Sequence, residues 1–282
     1  MKKIVKILCI MMALATFWGC GAPAAEEPAA TQPTAPLLAE AATQEELLAG
    51  LETSPRTVLT ADIVLTQTIG VKERILNGGG FTLTGPELRK EEVTDENGKT
   101  EMQNVPETEN AVMICAGAVE NLKVKGAYRC LGDCKEYPMS GDVQIKNVDA
   151  EGTLYALSIG RGNSKGFLRV EECTLRGWVN INKIKGAQFR NCTFGYDSNG
   201  KNGYFRTYKD ATLIGCNFEN WVSESGKVTR YNISFYKNTK GVTLTLEDCY
   251  VGDTLITQEN VNTLLKITNN KNNTIIVRNG TN

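Results

Sequence analysis

Val170-Glu-Glu172-Cys173-Thr-Leu175, Phe189-Arg-Asn191-Cys192-Thr-Phe194, Leu213-Ile-Gly215-Cys216-Asn-Phe218 and Leu246-Glu-Asp248-Cys249-Tyr-Val251 are four copies of one six-residue phrase. Its pattern is apolar, any, turn-former, small or medium apolar, any, apolar. Val119-Glu-Asn121-Leu122-Lys-Val124 and Ile145-Lys-Asn147-Val148-Asp-Ala150 are earlier copies with Leu or Val where the later ones carry Cys. Recurrence at intervals of roughly 20–50 residues marks a stacked repeat architecture. The fourth positions are separated by 26, 25, 19, 24 and 33 residues. That is too variable for a strict solenoid motif, but it suits rungs that share one bend and differ in their loops. The third positions are Asn121, Asn147, Glu172, Asn191, Gly215 and Asp248. Asn, Gly and Asp tolerate a left-handed backbone, so the phrase predicts a bend between two short strands and disfavours a helix.

Other short apolar runs fall between the copies. Ala111-Val-Met-Ile114, Leu154-Tyr-Ala-Leu-Ser-Ile159, Trp178-Val-Asn-Ile181, Asn232-Ile-Ser-Phe235 and Leu264-Leu-Lys-Ile267 read as further strands, giving two or three per turn. Val58-Leu-Thr-Ala-Asp-Ile-Val-Leu65, Ile75-Leu-Asn-Gly-Gly-Gly-Phe-Thr-Leu83 and Thr274-Ile-Ile-Val-Arg278 extend the pattern at both ends. With these residues the chain resembles the right-handed parallel β-helices of pectate-lyase-like proteins and bacterial surface proteins. The fold implied is all-β: a right-handed single-stranded parallel β-helix over residues 43–282. Thr43-Gln-Glu-Glu46 ahead of Leu47 and Leu48 is a capping-box pattern and predicts a short N-terminal helix covering the open end of the stack. A β-sandwich also has short strands separated by turn residues. Recurrence of one particular phrase favours the β-helix.

The N-terminus reads as an address. Lys2, Lys3 and Lys6 precede an uncharged apolar run, residues 7–18, too short for a membrane span of about 20 residues. Residues 1–19 are therefore expected to be an export signal. Phe17-Trp18-Gly19-Cys20-Gly21 resembles the lipobox of bacterial lipoproteins: Gly19 and Cys20 match, Phe17 and Trp18 depart from it. The resemblance implies lipidation of Cys20 and attachment to the membrane through that lipid; an ordinary secretory signal with an incidental cysteine is the alternative. Residues 20–42, rich in Ala, Pro, Glu and Thr, read as an extended spacer. Residues 1–19 hold three lysines and no acid, leaving 28 basic and 32 acidic side chains. That balance argues against nucleic acid as a partner.

Chemistry is sparsely marked. The chain has no histidine, which removes Ser-His-Asp and Cys-His nucleophilic sites and His-ligated metals. Cys173, Cys192, Cys216 and Cys249 share one phrase position and are expected to stack inward as small core residues, in preference to a metal site or disulfides. Cys115 reads as a core residue on a strand. Cys130 and Cys134, in a polar stretch between copies, are a candidate loop disulfide. No metal site is read. Tyr196-Asp197-Ser-Asn199-Gly200-Lys-Asn202 faintly resembles a calcium loop, but turn chemistry accounts for it. Asp248 and Asp253, with Arg190, Arg206 and Arg230, could share a face, although surface charge explains them more simply.

Aromatic residues concentrate in the second half. Tyr196, Tyr204, Tyr208, Trp221 and Tyr231 are the candidate ligand-binding residues, because exposed rings stack on sugars or dock a protein partner. Trp178 and Phe205 are expected to be at least partly buried. The function expected is a non-catalytic binding or adhesion module at the cell surface, with polysaccharide or a surface protein as partner and no cofactor. The alternative is a polysaccharide lyase, for which calcium would be the cofactor. No lyase motif is visible, so that alternative rests on fold resemblance.

Overall fold

The structure, a computed structural model, describes residues 37–280 apart from 96, 136 and 163. The expected export signal, the expected lipidation site Cys20 and most of the expected spacer lie outside the described residues. Among those described, no helix is long and apolar enough to cross a membrane.

The fold is all-β and dominated by one large, mostly parallel sheet. The repeated phrase is the unit that pairs. Its first positions align in register as Val119, Ile145, Val170, Phe189, Leu213 and Leu246. Its sixth positions align as Val124, Ala150, Leu175, Phe194, Phe218 and Val251. These are two parallel ladders separated by the bend. All six third positions have positive φ, from 49° at Asp248 to 60° at Gly215. A third ladder runs Ile69–Val71, 112–114, Arg129–Gly132, 155–159, 178–181, Tyr204–Thr207, Asn232–Phe235 and Lys266–Thr268. The strand Val143–Ile159 takes part in the first, second and third ladders in turn before the chain returns to the first at Phe167–Glu171.

Side chains alternate across a strand, so each ladder sends one row to a shared interior. The fourth positions of the phrase, including Cys173, Cys192, Cys216 and Cys249, are all buried. Each of these thiols lies near two carbonyls, one two residues back and one on the preceding rung. Cys173 Sγ donates to Glu171 O at 3.1 Å, and Cys249 Sγ reaches Leu213 O at 3.3 Å. A small side chain with a weak donor suits a position just after a tight bend, where backbone carbonyls end their ladder.

The bends carry their own side-chain bonds. Asn147 Nδ2 donates to Asn121 Oδ1 at 2.9 Å, and Asn121 Nδ2 to Asn77 Oδ1 at 3.4 Å. Asn147→Ala loses this bond and places a Cβ-bearing residue without a local polar side chain at φ 52°. The expected cost is about 1–2 kcal/mol of unfolding free energy, read as a fall in the urea midpoint. Asn147→Gly should recover part of it, because glycine adopts that conformation freely.

The helix Gln44–Thr53 begins at the capping box: Thr43 Oγ1 accepts from Glu46 N at 3.2 Å, and Glu46 Oε2 accepts from Thr43 N at 3.1 Å. It buries Leu47 and Leu51 against the first strands. The ordered fold starts earlier than residue 43. Ala39–Ala41 pairs in parallel with 57–59, so the end of the expected spacer is a strand, held because Ala41 is buried beside the helix. The acidic stretch around Glu91 and Glu101 forms an antiparallel hairpin, Lys90–Thr94 with Thr100–Asn104, apart from the main sheet. Trp221–Val222 and Val228–Thr229 form another.

Candidate functional site

The outer face of the third ladder departs from the rest of the surface. Val112, Leu131, Leu157, Val179, Phe205 and Ile233 point inward and are fully buried. Two rows flank them outside. One aligns Arg129, Tyr155, Trp178, Tyr204, Asn232 and Lys266; the other aligns Ser158, Asn180, Arg206, Ser234 and Thr268. At the parallel-strand spacing of about 4.8 Å, the second row extends for roughly 19 Å.

Aromatic rings run along this face edge to face. Tyr128 and Tyr155 have centroids 5.7 Å apart, Tyr155 and Trp178 5.4 Å, and Trp178 and Tyr204 4.7 Å. Cations lie over them. Arg129 sits 4.8 Å from Tyr128 and 5.1 Å from Tyr155, while Arg206 sits 4.7 Å from Tyr204 and 5.0 Å from Tyr236. Such contacts fix the guanidinium planes without neutralising their charge.

Two clefts open over the rows. The larger, of about 730 Å³, is floored by Ser158, Gly160 and Asn180 and walled by Arg129, Lys135, Arg161, Lys183, Tyr155, Tyr208 and Tyr236. The other, of about 420 Å³, is lined by Trp178, Tyr196, Tyr204, Lys201, Arg206, Arg230 and Lys266 among others. Together they are lined by eight cationic side chains and, among the described residues, no carboxylate; two of the eight, Arg129 and Arg161, are ion-paired from behind the lining by Glu109. The chain as a whole carries 31 basic and 32 acidic side chains, so the charges are segregated. A cleft elsewhere, lined by Lys125, Glu151 and Asp197, mixes both signs. Asn180 is 6 % exposed and its Oδ1 has no hydrogen-bond partner; Arg206 Nε and Tyr204 Oη are likewise buried and unpartnered. Unsatisfied buried polar atoms are uncommon in folded proteins and mark places where a ligand or water completes the bonding.

Two acids hold the larger cleft in shape from behind. Glu109 bonds Arg129 Nη1, accepts from Arg161 Nη1 at 3.0 Å and from Asn104 Nδ2 at 3.0 Å. Burial pushes the Glu109 carboxyl up, but the Asn104 bond, the charge and bond of Arg129 and the bond from Arg161 outweigh it and hold it below the ordinary range. Asp133, fully buried, accepts from Gly160 N at 2.9 Å, Arg161 N at 3.0 Å, Ser164 Oγ at 3.1 Å and Met139 N at 3.3 Å, tying two loops to the cleft. Burial raises its carboxyl despite those bonds.

The Glu109 shift has a testable sign. A carboxyl depressed in the folded state contributes stability above its unfolded value and loses it as pH falls through the folded value. The Glu109 contribution should therefore be complete at neutral pH and decline as pH falls below the ordinary glutamate value of about 4.3 toward the lower folded one. Thermal midpoints measured against pH should fall more shallowly through that window for Glu109→Gln than for the parent chain.

The five aromatic candidates are not one site. Tyr208 lines the larger cleft, and Tyr196 and Tyr204 line the smaller. Trp221 packs 6.4 Å from Tyr196 beside Glu151, Arg176 and Glu219. Tyr231 is fully buried against Phe218, Phe194 and Tyr196, so its ring is core and not a stacking platform. Tyr204 is 6 % exposed, its ring covered by Trp178 and Arg206. Trp178 is half-buried and Phe205 fully buried.

No disulfide joins Cys130 and Cys134. Cys130 is in the core, its Sγ donating to Val124 O at 3.4 Å, whereas Cys134 Sγ faces Met113 Sδ at 3.6 Å. Strand alternation turns one thiol inward, and the following loop carries the other outward. Asp197 spends its oxygens on its own turn, accepting from Lys201 N, Asn202 N and Asn202 Nδ2 at 2.8–3.1 Å. Asp248 accepts from Gly280 N at the bend, Arg230 donates to Asn262 O and Thr263 O, and Arg190 and Arg206 belong to different ladders; these groups and the exposed Asp253 form no common site.

Tyr155, Arg129, Arg161, Lys183 and Asn180 carry no motif in the sequence. Tyr155, Trp178 and Tyr204 lie 7, 5 and 12 residues beyond the fourth positions of their copies, because the connection to the third ladder varies in length. Comparison with protein-family models, with curated proteins and with solved structures finds no match.

Proposed function

We propose that this chain is an exported, lipid-anchored surface protein whose three ladders wind as a right-handed parallel β-helix, the fold of pectate-lyase-like proteins, and that it binds an acidic glycan without turning it over. The observation that carries the reading is the pair of clefts on one ladder face with eight cations and no lining carboxylate. A polymer with regularly spaced carboxylates or sulfates matches a row of cations repeated at the strand spacing, and sugar faces match the Tyr and Trp edges between them. The cyclic order in which the chain visits the ladders supports the winding. Lys2, Lys3, Lys6, the apolar run and Cys20 support export and attachment to a membrane through lipid. The segregated charge favours an acidic glycan over a neutral glycan or a protein partner.

The test is binding of the folded chain to immobilised polyuronate and sulfated polysaccharides beside a neutral glucan, with ultraviolet absorbance followed in the same mixtures. Retention on the acidic polymers that weakens with salt, with no unsaturated product, supports the proposal. Equal retention on the neutral glucan overturns the ligand class. Growth of unsaturated-product absorbance would replace the binding role with the lyase alternative.

A further inference from the structure

One position on the third-ladder face breaks its pattern. Toward the N-terminal rungs the outward row of Ser158, Asn180, Arg206, Ser234 and Thr268 continues through Gly132 to Met113 and Gly70. A thioether at a polar position has a second sulfur against it: Cys134 Sγ is 3.6 Å from Met113 Sδ. Cys115 lies two residues along the same strand, where the pairing with Ile69–Asn77 skips a residue between Ile114 and Ala116. Its Sγ donates to Tyr137 O at 3.5 Å, and the Cys134 backbone N–H donates to that same oxygen at 3.4 Å. The loop that brings Cys134 to Met113 is thus also held against Cys115.

We infer that Met113 Sδ, Cys115 Sγ and Cys134 Sγ form a binding site for a soft monovalent cation, Cu(I). Thiolate and thioether donors select Cu(I) over harder divalent ions. At a metal–sulfur length of about 2.3 Å, the 3.6 Å pair of Met113 and Cys134 sulfurs subtends roughly 100° at a shared ion, an angle that leaves room for a third donor. Loading replaces up to two thiol protons with one cation, so protons are released as the metal binds. Lys72, whose Nζ sits 5.1 Å from the Tyr137 ring, offsets the net negative charge left by two thiolates. Entry is open, because Met113 and Cys134 are half-buried and Tyr137 is half-exposed. Counted over His, Cys, Asp and Glu alone, no group of three or more is placed to hold a metal among the described residues; here the thioether completes the set. The other buried thiols among the described residues, Cys130, Cys173, Cys192, Cys216 and Cys249, are enclosed in the core and offer no such access.

The experiment is anaerobic titration of the reduced, folded chain with Cu(I) in competition with the colorimetric chelator bicinchoninate. One Cu(I) per chain withdrawn from the chelator is expected. Cys134→Ser and Met113→Leu should each weaken that binding by roughly tenfold or more. Both should fold: Cys134 is on a half-exposed loop, and Leu matches Met in volume. Thermal midpoints check this independently. Failure to take copper from the chelator overturns the proposal. So does copper held unchanged by Cys134→Ser, equal competition by Zn(II), or a Cys115–Cys134 disulfide that persists under reductant.

Discussion

Phe194→Ala is expected to lower the unfolding free energy by about 3–5 kcal/mol, read as a fall in the denaturant midpoint. Phe194 is fully buried on the second ladder between Leu175 and Phe218. Its ring stacks on Phe218 at 5.3 Å and 18° and meets Phe189 and Phe205 at 5.5 and 5.6 Å from the neighbouring ladders. It is where the three inward rows meet. Truncation removes the transfer energy of a large side chain and leaves a cavity that hydrogen-bonded ladders on every side cannot close. Phe194→Leu keeps most of the volume and should cost distinctly less. A loss below about 1 kcal/mol for Phe194→Ala would contradict this packing, because such a value belongs to sites that collapse freely or are exposed.

Paired removal of Arg161 and Lys183 is expected to weaken acidic-polysaccharide binding by about a hundredfold. A charge-assisted hydrogen bond contributes about 1.5–3 kcal/mol, so losing two removes at least about 3 kcal/mol, and each 1.4 kcal/mol is tenfold. Arg161→Ala should not collapse the cleft, since Glu109 keeps its bond to Arg129 and Asp133 holds the Arg161 backbone and not its side chain. Lys183 lies 5.6 Å from the Tyr208 ring and supports no buried acid. The measurement is binding to polyuronate at two salt concentrations, with Lys125→Ala as a control on the mixed-charge cleft. The double variant should also show a shallower salt dependence, having fewer ionic contacts to screen. Unchanged affinity in the double variant, with Lys125→Ala weakened, would move the site off this face.

Much of the fold was legible from the phrase itself. Its third positions are Asn, Glu, Gly or Asp, and every one bends left-handed; its first and sixth positions stack in register with their counterparts. These features are local: a bend and the alternation on either side of it depend on six consecutive residues. The capping helix was legible for the same reason, since Thr43 and Glu46 are three residues apart. The first strand was not. Ala39–Ala41 has no strand composition and is extended because Thr57–Leu59 offers it an edge.

The candidate site was much less legible. Aromatic density led to Tyr208, which lines the larger cleft, and equally to Tyr231, which the structure spends on the core. Nothing in a Tyr says whether its strand parity turns it in or out, and a one-residue change in a connecting loop reverses that parity. By itself, the sequence determined the repeat, the bend and the residues that fill the interior, since each follows from a short pattern and the need to bury apolar surface. Only the tertiary structure decided the face on which Arg129, Arg161, Lys183 and Arg206 converge, and which thiols meet. Those neighbours lie on different rungs, joined by loops of unequal length, and their approach is set by in-register pairing across tens of residues.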